Sequence, residues 1–157
     1  MSASPSEPPE PPEPRPPVAV DLRDYVTFDQ AGATGRRVYA TDVLAVDVVC
    51  LEPHQLIEAR TFATADAIYT VLGGTAWLVA DDAWVTLTAL QSVWIPAATP
   101  HGVRNDAPDP LILQVLISPP DEAPEAVLGP AVSEPTDPDL GAEPPGALTR
   151  LRRALGG

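Results

Sequence analysis

The chain of 157 residues has no lysine, one cysteine, one methionine and only 5% aromatic residues. Each scarcity excludes something. A single cysteine, Cys50, allows no internal disulfide. Its place in the apolar run VLAVDVVCL points to a buried, inert thiol rather than a reactive one. Without lysine, all nine basic residues are arginine; they face 22 acidic residues, for a net charge of −13. Residues 1–17, residues 18–118 and residues 119–157 taken together are each net acidic, which argues against nucleic acid and anionic membranes as partners. No apolar run is long enough to cross a bilayer. The opening residues are polar and proline-rich with no apolar leader segment, so a cytoplasmic protein is expected. Helical periodicity of useful length is missing until the last dozen residues.

Proline is what the chain has in excess, and its placement divides the sequence. Of 21 prolines, eight fall in residues 1–17 and eight in residues 119–145. Proline fixes φ and lacks an N–H, so these stretches can neither join a sheet nor continue a helix. Residues 1–17 and 119–145 are therefore expected to be disordered, extended arms. Residues 18–118 are the expected folded domain, large enough to bury a core without disulfides, and residues 146–157 form a separate terminal peptide.

Between the arms, short apolar runs alternate with turn signals. Ten runs read as strands: 20–26, 36–40, 43–51, 56–62, 67–72, 75–80, 83–90, 92–96, 101–105 and 111–117. The breaks AGATG, EPHQ, GG, DD and NDAPDP carry turn chemistry. Many short strands at regular spacing predict an all-β sandwich or small barrel. Trp77, Trp84 and Trp94 lie on these strands, where core or dimer packing is the default role.

Two stretches carry a resemblance. LQSVWIPAATPHGVRN places Pro96, His101 and Asn105 at the spacing G-x5-P-x-G-x2-H-x3-N, with Leu90 and Ala98 in the two glycine positions. HQLIEARTFATADAIYTVLGG keeps the spacing G-x5-H-x-H-x4-E-x6-G, ending on Gly74. There the leading glycine is His54, the two histidines are Arg60 and Phe62, and the glutamate is Ala67. These motifs resemble those of the cupin superfamily, which implies a double-stranded β-helix, or jelly-roll barrel, commonly dimeric. The run VDLRDYV is a candidate strand for pairing with a neighbouring copy.

In that family the two histidines, the glutamate and the later histidine hold a divalent metal. Only His101 survives here. Phe62 has no lone pair to donate, Ala67 is too short, and Arg60 is a fixed cation. A catalytic divalent site needs about three protein ligands, so no metal cofactor is expected; a metal site remodelled around His101 with Glu58 or Asp66 is the alternative. Glu58 is in phase with Arg60 and Phe62, whereas Asp66 points outward unless a bulge re-aims it.

If the register holds, Arg60, Phe62, Ala67, Tyr69, Val71, His101, Val103 and Asn105 face the barrel interior. That mostly apolar set suits a small-molecule pocket lined by Arg60, Phe62, Tyr69, His101 and Asn105. Arg60 suits a carboxylate or phosphate. The equal alternative is that Phe62 plugs the barrel while Arg60 reaches out to Asp66 or Glu58. His101 is the best candidate for a catalytic base, although no partner for that work is visible.

The terminal peptide GALTRLRRALGG has Leu148, Leu151 and Leu155 at the spacing of one helical stripe, with Arg150, Arg152 and Arg153 making it basic. Nine or ten residues are too few for a stable isolated helix. Leu148, Leu151, Arg152 and Leu155 are candidate contacts either to a protein partner or to the chain's own domain. Three functions follow as expectations: a metal-independent cupin binding a small organic ligand, a metal-dependent dioxygenase or isomerase with a remodelled site, and a non-catalytic adaptor recruited through residues 146–157.

Overall fold

The structure is a computed structural model and describes residues 5–11 and 13–120. The arm beyond residue 120 and the candidate contacts Leu148, Leu151, Arg152 and Leu155 lie outside the described residues. Strands run β1 Thr34–Ala40, β2 Ala45–Leu51, β3 Leu56–Arg60, β4 Asp66–Gly73, β5 Thr75–Ala80, β6 Ala83–Thr88, β7 Ser92–Ile95, β8 His101–Arg104 and β9 Leu111–Ser118. All are antiparallel and form two sheets, β1-β2-β9-β4-β7 and β3-β8-β5-β6. The sheets pack face to face, as expected for an all-β jelly roll.

Alternation along each strand decides the core. On β4, Ala67, Tyr69 and Val71 are buried; on β9, Leu111, Leu113, Val115 and Ile117 are buried. They meet Leu78, Leu87 and Val103 of the facing sheet in one cluster. This period of two is the physical basis of the sequence pattern. The interior Tyr69, Val71 and Val103 stand where the register places them.

Residues 20–26 are not a strand. Leu22–Tyr25 form a single 3-10 turn, capped by the Asp21 carboxylate, which accepts a hydrogen bond from the Arg23 N–H at 3.0 Å. Apolar spacing imitates a strand, but the aspartate offers the backbone a local bond in its place. Leu22, Tyr25 and Val26 cover the outer face of the five-stranded sheet, against Val48, Cys50 and Ile112. The pairing strand expected here is therefore spent on the chain's own sheet. Cys50 is buried beneath it, and burial pushes its thiol up to about 11.

Trp84 and Trp94 are not core residues: each is 60% exposed. No helix among the described residues is long and apolar enough to cross a membrane.

Candidate functional site

The end of the barrel where β9 finishes collects the chemistry. β3 ends there at Arg60, β4 starts at Asp66, and β8 starts at His101. Arg60 and His101 are direct cross-strand partners, and Phe62 lies just beyond β3. The His101 ring sits 5.9 Å from Phe62 and 5.3 Å from Tyr69, measured between centroids, the latter edge-on.

The hydrogen bonds of His101 fix its tautomer. Nδ1 is 2.9 Å from the Thr99 carbonyl, which can only accept, so Nδ1 carries the proton. In the neutral ring Nε2 then accepts from the Tyr69 hydroxyl at 2.8 Å. Burial lowers the His101 pKa; the Thr99 bond opposes this and the Arg60 charge adds to it. Tyr69 is fully buried, and burial pushes its hydroxyl up to about 12, so it remains a donor. For Arg60, burial lowers the pKa, while Tyr69 and Asp47 act in the other direction.

These directions set the pH response. A base whose folded pKa is depressed leaves the unfolded chain holding more protons, so stability is full above the unfolded value and falls with pH below it. For His101 the loss begins as pH drops through about 6.5. The raised Tyr69 pKa has the opposite sign: its contribution is full below about pH 10 and is lost as pH rises toward about 12. Tyr69→Phe deletes the donor and leaves Nε2 buried without it, a loss of about 1–3 kcal/mol. Chemical denaturation of both forms from about pH 5 to about pH 11 reads both limbs. The alkaline limb should flatten in the variant.

The residues present do not fit the family's metal. Arg60, Phe62 and Ala67 occupy the three missing ligand positions, and the Nε2 of His101 is engaged by Tyr69. Among the described residues no group of three or more His, Cys, Asp or Glu side chains gathers to hold an ion. Glu58 does not point inward as the simple alternation predicts. β3 carries a bulge between Ile57 and Arg60, so Ile57 and Arg60 both face in while Glu58 and Ala59 are exposed. Asp66 faces outward, and its carboxylate accepts from the Ala97 N–H at 2.9 Å.

Asn105 belongs to the other end. Four residues along β8 and its exit put it about 13 Å from His101. Its amide nitrogen donates to the Leu51 and Asp109 carbonyls at 3.2 and 2.8 Å, and its oxygen accepts from Ala107 N–H at 3.1 Å. Asn105 is thus a clasp between loops, and the structure brings only Arg60, Phe62, Tyr69 and His101 together.

The sequence reading missed a second feature, a groove of about 330 Å3 on the outer face of the four-stranded sheet. Gly102 forms its floor, with Leu56, Glu58 and Ala59 on one side and Val79, Asp81 and Trp84 on the other. Arg104 stacks over Trp84 at 5.3 Å and pairs with Asp106. The bulge that turns Glu58 outward is what brings it to this rim.

A family model described as "Cupin domain" matches residues 47–117. Among solved structures, TT1209 from Thermus thermophilus is similar at 24% identity and TM-score 0.62, covering 64% of this chain and 96% of that one. A double-stranded beta-helix protein from Klebsiella pneumoniae is similar at 22% identity and TM-score 0.61, with coverage of 64% and 89%. An RmlC-like cupin from Desulfovibrio desulfuricans gives 22% identity and TM-score 0.59, with coverage of 65% and 96%. These likenesses speak to the fold alone. Among curated proteins, none matches the sequence.

Proposed function

Residues 47–117 being a cupin domain, we propose that the protein is a metal-independent binding protein whose barrel takes a small organic anion at the Arg60 end. One observation carries this reading: Arg60 and His101 stand side by side across β3 and β8, with the Tyr69 hydroxyl bonded to His101. A partly buried guanidinium is a strong partner for a carboxylate or phosphate, because a desolvated charge pairs more strongly than one in water. Tyr69 and His101 present one polar wall and Phe62 an apolar one. Phe62 is only 8% exposed, so a ligand enters by turning its ring aside. His101 orients and hydrogen-bonds the ligand in this reading; catalysis is not assigned to it.

The test is a thermal-shift series with small carboxylates and phosphate esters. A bound ligand at about a hundred times its Kd should raise Tm by on the order of 10 °C. Arg60→Gln, which removes the charge and keeps a polar side chain, should abolish the shift. An undiminished shift in that variant would rule the reading out.

A further inference from the structure

We propose that the terminal peptide, residues 146–157, docks in cis into the outer groove of the β3-β8-β5-β6 sheet. The groove is apolar along its length, with Leu56, Ala59, Val79 and Trp84 as walls. Gly102 leaves the floor without a side chain, and a Cβ there would meet the Ile57 carbonyl oxygen at 3.1 Å. Large apolar side chains stand uncovered beside it: Leu56 is 50% exposed and Trp84 60%. Apolar surface of this kind favours an apolar occupant.

Charge selects the occupant. Arg104 is neutralised by Asp106, which leaves Glu58 and Asp81 as the net charge of the rim. In a chain of net charge −13, residues 146–157 contain three arginines and no acid. Leu148, Leu151 and Leu155 make the matching apolar stripe, with Arg150, Arg152 and Arg153 to meet Glu58 and Asp81. The peptide is too short to order alone, and a template supplies what it lacks.

Length and starting point agree. β9 ends at Ser118, at the same end of the barrel as the turn between β5 and β6 that carries Asp81. From Pro120 to Leu148 the proline-rich connection can extend to about 90 Å, at about 3.1 Å per residue, more than enough to round one sheet. Tethering makes docking intramolecular, so modest contacts suffice.

The full chain with Trp77→Phe and Trp94→Phe leaves Trp84 as the sole tryptophan, and acrylamide quenching then reads its cover. Reversing Arg150, Arg152 and Arg153 to Glu in that chain should raise the quenching constant about two-fold, as the indole loses its contacts. Adding Glu58→Arg and Asp81→Arg to the reversed chain should restore protection. Equal quenching with and without the reversal overturns the proposal. So does protection that appears only as light scattering shows the mass doubling, which would give the groove to a second copy's peptide. Hydrogen exchange along the β3 edge, in chains that keep all three tryptophans, provides the same reading without the reporter substitutions: slower exchange in the unreversed chain is expected, and no difference counts against docking.

Discussion

Replacing Gly74 by alanine should strongly destabilise the fold. Gly74 sits between β4 and β5 with φ of +89°, and a Cβ there would lie 2.4 Å from the Pro110 carbonyl oxygen and 3.0 Å from the Leu111 Cα. Both obstacles are backbone, and Leu111 starts the central strand β9, so neither can step aside cheaply. The left-handed conformation costs an alanine about 1–2 kcal/mol, and forcing a methyl into packed backbone about 1–3 kcal/mol more. We expect a loss of about 2–5 kcal/mol in urea denaturation, a large share of the stability of a domain this size. Gly32→Ala is the control, since nothing lies within 4 Å of its added Cβ. It should be neutral or gain about 0.4–1 kcal/mol. Equal behaviour of the two variants would show that the close approach at Gly74 is not what the glycine is there for.

Asn105→Ala is the second large effect. The side chain is fully buried and ties the Leu51 carbonyl, the Asp109 carbonyl and the Ala107 N–H together. Its own backbone adds two more ties, donating to the Gln55 carbonyl and accepting from His54 N–H. Truncation strands at least one buried partner, at about 1–3 kcal/mol each, so the expected loss is roughly 3 kcal/mol. Asn105→Asp should recover little, because it keeps the acceptor, removes both donors and buries a carboxylate. Affinity for any anion held at Arg60 should be nearly unchanged in Asn105→Ala under conditions where it stays folded. A selective loss of that affinity would return Asn105 to the ligand site.

Much of the fold was legible because a half-buried strand writes its period into the sequence, as Ala67, Tyr69 and Val71 do on β4. The spacing of the two motifs was legible for a related reason. His54, Gly74, Leu90 and Ala98 occupy the four glycine positions of the motifs, and all four have positive φ, between +66° and +89°. The backbone path therefore persists where three of the glycines have gone. What alternation could not reveal is where it is interrupted. The β3 bulge reversed the reading of Glu58, and no residue type there announces it. The Asp21 cap turned an apparent strand into a 3-10 turn through one side-chain bond. Asn105 has the right spacing for a site residue, but spacing along a strand says nothing about which end of the barrel a side chain serves. Trp84 is not in the core because its strand lies at a sheet edge and its side chain lines the outer groove.

The bulge in β3 also makes that strand unusually forgiving of a change in chain length. Ile57 and Arg60 are three residues apart, yet they face Val103 and His101, which are two apart. Losing Ala59 would turn the irregular segment into an ordinary strand and keep both side chains on the inner face. The same deletion in the regular ladder of β9 would reverse every residue beyond it, sending Leu113, Val115 and Ile117 to the wrong side. A lineage carrying this barrel thus has in β3 a place where a codon can be dropped or regained without redrawing the interior. Such a slip changes only the outer rim, where Glu58 stands.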